Sequence, residues 1–357
     1  MTHDHDPIRC ILPPEILERI ARYGDEEQRE RALRTLATDY SLRSIRAQNA
    51  ILEAQAPKRL NPHVTEGGTP VRTILDCGNS QDPARARIVR TEDDPATGDV
   101  AADEAYDGLG ATYGLFWDAY ERDSIDDNGM QLKGYVHYGD GYDNAFWDGQ
   151  EMIFGDGDGR LFNRFTISVD IIGHELTHGV TEDEASLVYF RQSGALNESV
   201  SDVFGSLVKQ HTLGQKADEA DWLIGAGLIA NAPDQALRSM KAPGTAYDHP
   251  LLGKDRQPAH MQDYVQTTAD NGGVHVNSGI PNHAFYLAAV NIGGHAWERA
   301  GRIWYEALRD VRLRPTAQFR TFARITLRAA QRIGFSPSSS EYKAVQEAWA
   351  QVGLKVV

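Results

Sequence analysis

The chain has 357 residues, 41% of them hydrophobic, and a formal net charge of −15. That length supports two lobes with separate cores, and the acidic balance excludes nucleic acid or an anionic membrane surface as the main partner. Two cysteines, Cys10 and Cys77, make no disulfide framework, and no stretch reaches the run of about 18 apolar residues that a membrane span needs.

The first residues lack the apolar core of a secretory signal. The chain is therefore expected to be secreted without a recognisable signal peptide, with a cytoplasmic location as the alternative. Residues 1–50 stand apart: eight Arg against nine Asp and Glu leave them at −1, while the remainder carries −14. Pro13-Pro14 opens a helix on Ile16, Leu17 and Ile20, and a second is expected from Glu27 to Leu36. Breakers then cluster at Ala56-Pro57, Asn61-Pro62, Gly67-Gly68 and Thr69-Pro70. Strands are expected over Val71–Leu75 and Ala86–Arg90, and a helix over Asp103–Tyr120 with Tyr106, Leu109, Tyr113, Phe116 and Trp117 on its apolar face. Tyr135–Tyr138 and Gln150–Phe154 read as further strands, and the Gly155–Gly159 turn as a strand connection. Helices follow over about 169–183, 193–212, 277–292, 295–309, 316–332 and 338–350. The expected organisation is α+β: a helical attachment over 1–50, a strand-rich lobe over 51–168, and a helical lobe over 169–357.

The junction of the two lobes carries His174-Glu175-Leu176-Thr177-His178. Histidines four apart share one helix face and can bind one metal ion, with Glu175 beside the open coordination position. Glu198 is spaced to return as a third ligand from a second helix. Asp202 shares its helix face and can accept the free ring N–H of a ligand histidine. His174, His178 and Glu198 as ligands of one zinc ion, with Glu175 as general base, point to hydrolysis of peptide bonds by activated water.

These residues resemble those of the thermolysin-like neutral metallopeptidases. The resemblance rests on the histidine helix, on Ser193-Gly194-Ala195-Leu196-Asn197-Glu198, on Asn144-Ala145-Phe146-Trp147, on Leu237-Arg238-Ser239-Met240 and on Asp270-Asn271-Gly272-Gly273-Val274-His275. It spans roughly residues 70 to 357, and the proline-containing N-terminal segment is similar to that of the short-propeptide, protealysin-like branch. The resemblance implies a two-lobed zinc endopeptidase, with a strand-rich and a helical lobe joined by the zinc helix. It implies that His275 and Tyr189 hydrogen-bond the oxyanion, that Asp270 orients His275, and that Asn144, Ala145 and Arg238 hold substrate backbone. An apolar subsite lined by Phe162, Phe165, Ile171 and Leu237 would favour cleavage before a bulky hydrophobic residue. Peptides and proteins would be the substrates, and the chain's own first 50 residues a propeptide that blocks the cleft in a monomeric precursor. Self-cleavage near Ala50-Ile51-Leu52 would suit the same preference. Cys10 could place a thiolate at the zinc or make a small buried apolar contact.

The family often binds a calcium pair near the zinc. Here Asp170 keeps one position, Lys209 stands where the family has a glutamate, and Leu223 and Ala226 stand at two further ligand positions. Lys209 is expected to pair with Asp170 in place of the calcium pair; an isolated calcium site elsewhere stays open. A peptide-binding protein on the same frame would have lost Glu175 or a ligand, and all are present. A zinc aminopeptidase is separated by its need for a free substrate N-terminus.

Overall fold

The computed structural model describes residues 9–53 and 68–356, with backbone alone at residue 9 and over 42–53. The breakers at Pro57 and Asn61-Pro62 lie outside these. A two-residue strand β1 (Arg9–Cys10) leads into α1 (Pro14–Tyr23) and α2 (Glu26–Glu53). Proline at the start of α1 lacks only an N–H that no helical partner would accept. Ile16, Leu17 and Ile20 are buried beneath it. α2 runs well beyond the expected Leu36 because neither glycine nor proline interrupts Glu26–Glu53.

The first lobe continues with β2 (Arg72–Asp76), β3 (Arg87–Thr91), α3 (Val100–Tyr120), β4 (Leu132–Val136), β5 (Ala145–Trp147) and β6 (Met152–Phe154). Their sheet has the order β1-β5-β6-β4-β2-β3. β2 and β6 pair parallel with β4, while β3, β5 and β1 join antiparallel. α3 is the crossover that parallel β2 and β4 require. It starts three residues earlier than expected because the Asp99 side chain caps it, accepting from Ala102 N at 2.9 Å.

One register row crosses five strands: Leu75, Tyr135, Ile153, Phe146 and Cys10. With Cys77, Tyr138 and Tyr142 it forms a separate apolar cluster. Ala145 and Trp147, alternating with Phe146, belong instead to the main core, which includes α4. Cys10 is thus a small buried apolar contact on the sheet face opposite that helix.

The second lobe is helical: α4 (Val169–Glu184), α5 (Arg191–Leu213), four short strands β7 (Leu223–Ile224), β8 (Arg238–Ser239), β9 (Asp248–His249) and β10 (Gly253–Lys254), then α6 (Asp270–Asn277), α7 (Gly279–Ile292), α8 (Arg302–Leu308), α9 (Phe319–Arg332) and α10 (Ser340–Gln351). The expected helix over 295–309 begins as a π turn at Trp297–Gly301 before α8. α4 and α5 touch backbone to backbone: a Cβ on Gly205 would lie 2.4 Å from the Asp170 carbonyl, and one on Gly173 3.1 Å from the Gly205 Cα. The C-terminal end of α4 is anchored by Arg122, which is fully buried and donates to Asp183 at 2.7 Å, to the Ile125 carbonyl at 2.6 Å and to Glu184.

β4 stops at Val136 rather than Tyr138 because His137 adopts a left-handed φ of 54°. Its Nδ1 lies 2.9 Å from Asp156 and its Nε2 3.1 Å from Asp99, tying the sheet to the start of α3. The Asp156 hydrogen bond raises the imidazole pKa from 6.5 to about 9, against the opposing effect of burial. A raised folded-state pKa contributes stability that is complete below 6.5 and is lost as pH climbs through about 9. His137→Ala should therefore lower urea-derived stability more at about pH 6 than at about pH 10. A deficit equal at both values would remove the charge from the explanation.

Candidate active site

α4 and α5 meet at a buried cluster. On α4, His174 and His178 stand one turn apart with ring centroids 4.7 Å from each other and planes at 89°. Each ring is fixed through Nδ1: His174 donates to Asp202 at 2.8 Å, and His178 to Asn197 at 2.8 Å, with the Ser201 hydroxyl 2.9 Å from the same nitrogen. Both Nε2 atoms then face Glu198, at 3.5 Å from His174 and 3.4 Å from His178. The three side chains are fully buried, and their ligand atoms lie within 4.8 Å of one another. His174 Nε2 and Glu198 Oε2 have no hydrogen-bond partner. Buried polar atoms left this way cost about 1–3 kcal/mol each, so their convergence fits a cation, and two imidazoles with one carboxylate fit zinc.

Glu175, between the histidines, is also fully buried. Its Oε2 accepts from Trp147 N on β5 at 3.2 Å, and its Oε1 has no hydrogen-bond partner. Burial pushes its pKa up to about 8, against the lowering effect of His174. Burial would also raise Glu198, but the facing imidazoles of His275 and His178 hold that carboxyl well below its ordinary range.

Asp202 has every lone pair engaged. Besides His174 it accepts from Arg238 Nε at 2.8 Å, Arg238 Nη2 at 2.9 Å and Asn282 Nδ2 at 2.7 Å. His275 comes from α6, which opens on four successive positive φ values, from Asp270 to Gly273. That left-handed turn folds the Asp270 carboxylate back onto His275, accepting from the ring Nδ1 at 2.7 Å and from the backbone N at 2.9 Å. Burial lowers the His275 pKa, but Asp270 and Glu198 outweigh it and raise it to about 9. The Tyr189 hydroxyl donates to Glu198 and lies 3.3 Å from His275 Nε2.

Residues 9–12 cross this cluster, the first two as strand β1. β1 pairs antiparallel with β5, Arg9 opposite Trp147 and Cys10 opposite Phe146. Ile11 N donates to the Ala145 carbonyl at 3.3 Å, and Leu12 N to Asn144 Oδ1 at 3.1 Å. His275 Nε2 donates to the Cys10 carbonyl at 3.1 Å, and Arg238 Nη1 to the Ile11 carbonyl at 3.2 Å. The Asn144 amide is held in turn by Asp39 of α2, at 3.0 Å.

Three family models match: the protealysin propeptide over residues 9–37, the thermolysin metallopeptidase catalytic domain over 63–182, and the thermolysin metallopeptidase alpha-helical domain over 185–354. The chain belongs to the thermolysin metallopeptidase family. It is 52% identical over 353 residues to an extracellular metalloprotease of Pectobacterium carotovorum subsp. carotovorum, covering 98% of this chain and 97% of that protein. It is 47% identical to protease PrtS of a Photorhabdus species, covering 97% and 92%. Among solved structures it is similar to the precursor of protealysin from Serratia proteamaculans, with a TM-score of 0.86 and 54% identity over 97% of this chain and 99% of that one. This member of the family is a zinc endopeptidase with a propeptide, and its metal site is the His-His-Glu cluster.

His174, Glu175, His178, Glu198, Asp202, Tyr189, His275, Asp270, Asn144, Ala145 and Arg238 form the connected cluster just described. Phe162, Phe165 and Ile171 have no exposed surface and share one apolar cluster with Ile11 and Leu237. Leu237 lines a cavity of about 420 Å³ between α1 and the second lobe, with Arg238 and His275. Lys209 Nζ donates to Asp170 at 2.8 Å, Asp221 at 2.9 Å and the Leu223 carbonyl at 2.7 Å. Sequence reasoning missed Asn197, Ser201 and Asn282. The first two had a signal, since they lie four apart on the helix that carries Glu198.

Asp202→Asn should weaken zinc affinity by about 10–100-fold, read by competition with a chromophoric chelator. Unchanged affinity would mean that the His174 ring does not depend on this carboxylate.

Proposed function

We propose that Glu175 is the general base of this endopeptidase, that His275 and Tyr189 stabilise the oxyanion, and that Asn144, Ala145 and Arg238 align the substrate backbone. The observation that carries this reading is the segment over residues 9–12, whose strand β1 pairs with β5 and whose Ile11 and Leu12 N–H groups continue onto Ala145 and Asn144, as those of a bound peptide would. Its Cys10 carbonyl meets His275 and its Ile11 carbonyl meets Arg238.

When bound by His174, His178 and Glu198, zinc supplies a Lewis acid that polarises the scissile carbonyl and acidifies water. Glu175 takes the proton of the attacking water through Oε1 and returns it to the departing amine nitrogen. Trp147 N holds the other carboxylate oxygen, so base and substrate strand share one element, β5. Asp270 keeps His275 charged and oriented as a donor, worth about 3 kcal/mol at a developing oxyanion. Asp202 fixes both His174 and Arg238, linking the metal site to the carbonyl after the scissile bond. The side chain just after that bond occupies the place of Ile11, which has no exposed surface, so bulky apolar residues are preferred there.

The same reading divides the chain into a propeptide over 1–50, a strand-rich lobe over 51–168 and a helical lobe over 169–357. The precursor is a monomer whose propeptide strand fills the cleft. An extracellular location is supported by the likeness to an extracellular metalloprotease, and no described helix is long and apolar enough to cross a membrane. The Lys209 ammonium, held by Asp170, Asp221 and the Leu223 carbonyl, takes the place of the calcium pair.

An internally quenched, end-blocked peptide should be cut before its apolar residue by the matured protein. Zinc chelation should abolish this, and Glu175→Ala should reduce it by roughly 10²–10⁴-fold. Activity that survives Glu175→Ala would sink the assigned mechanism, and activity only on unblocked peptides would favour an aminopeptidase. Lys209→Met should cost about 3–5 kcal/mol by leaving Asp170 buried without its partner, while calcium should leave the wild-type melting temperature unchanged. A large calcium-dependent rise would overturn the replacement.

A further inference from the structure

We infer that the Cys10–Ile11 peptide bond is itself a processing site, cut in cis by the active site that it covers. This rests on the proposed function above. All four backbone contacts that flank the bond are those of a substrate in register. The carbonyl before it meets His275 at 3.1 Å, its own N–H meets the Ala145 carbonyl at 3.3 Å, the next carbonyl meets Arg238 at 3.2 Å, and the next N–H meets Asn144 at 3.1 Å. Chain direction is also set: β1 runs antiparallel to β5, so the acyl side of the bond faces the oxyanion donor and the amine side faces Arg238. The residue after the bond, Ile11, is apolar and wholly buried. A blocking strand in the reverse direction, or shifted by one residue, would present no such bond.

The alternative processing stretch, Ala50-Ile51-Leu52, has its backbone inside α2, with its side chains outside the described ones. Helical backbone has its N–H and C=O groups committed to the helix and cannot pair with β5 unless it unwinds. The Cys10–Ile11 bond needs no such step. It is seated by residues of the same chain, with α1 packed beside it through Ile16, Leu17 and Ile20. The reaction is thus intramolecular, with the positioning already accomplished in folding.

The chemistry balances as ordinary hydrolysis. Water oxygen bonds to the Cys10 carbonyl carbon, the Cys10–Ile11 C–N bond breaks, and both water protons reach the Ile11 nitrogen, the first by way of Glu175 and the second from the new carboxyl group. The products are a carboxylate at Cys10 and an ammonium at Ile11. The Cys10 side is then held by the two-residue ladder on β5, by His275 and by the aromatic cluster around Phe146, and the Ile11 side by Arg238, Asn144 and α1.

The test is a time course of freshly folded, zinc-loaded precursor with its amino termini labelled before mass spectrometry. A peptide that starts at Ile11, and a partner that ends at Cys10, should appear at a first-order rate that does not change over roughly two decades of protein concentration. Ile11→Ala should slow their appearance by about tenfold or more. Should that variant not fold, the concentration series on wild type stands alone. Three results overturn the inference: no Ile11 terminus at any time in a preparation that, once matured, cuts the end-blocked peptide; a rate proportional to concentration; or an equally fast Ile11 terminus in Glu175→Ala precursor mixed with mature enzyme. A matured sample that cuts no end-blocked peptide would instead fail the functional reading beneath it.

Discussion

The backbone contact between α4 and α5 at Gly173 and Gly205 is the constraint on which the site depends. A side chain at either position would push the helices apart, and the ligand atoms of His174, His178 and Glu198 would no longer lie within 4.8 Å. Close helix contact also removes water from a group of charged and polar side chains. Such desolvation is costly unless each group has a partner. The partners are present: Asp202 accepts from His174, Arg238 and Asn282, and His178 is held by Asn197. Two atoms without hydrogen-bond partners, His174 Nε2 and Glu198 Oε2, converge where a cation fits.

The two lobes meet through β5. One face of this strand contributes Ala145 and Trp147 to the core around α4, and the other contributes Phe146 to the cluster that includes Cys10, Tyr138 and Tyr142. Its edge pairs with β1. Three contacts therefore fix one short strand: Glu175 of the second lobe on Trp147 N, the propeptide ladder, and Asp39 of α2 through Asn144. The two thiols of the chain both belong to the aromatic cluster rather than to the metal site.

Much of this was legible in the sequence because its signals are local. The histidine helix, its partner helix and the intervening spacing fall within about two residues of their expected limits, since a 3.6-residue apolar repeat and a metal-ligand spacing both report directly on helix faces. Boundaries set by special backbone were not legible. Nothing apolar marks the left-handed His137 that ends β4, or the π turn before α8. Asn282 lies 80 residues from the Asp202 that it supports, and Asp39 lies 105 from Asn144, so no pattern within a window joins them. Apolar residues raise a different difficulty. Phe162, Phe165, Ile171 and Leu237 share one apolar cluster with Ile11, and nothing in a sequence separates a pocket lining from a core, because hydrophobicity marks removal from water and not the identity of what removes it.

The brevity of β5 carries a consequence for the enzyme after its propeptide leaves. Removing β1 turns an interior strand into an edge, and bare edges template the pairing of one molecule with another. Here that edge is three residues long, and the strand next to it, β6, is equally short. Such a template offers too few backbone groups to hold an arbitrary strand without help from His275, Arg238 and Asn144. The molecule can thus open a sheet edge to peptides and still resist edge-to-edge aggregation.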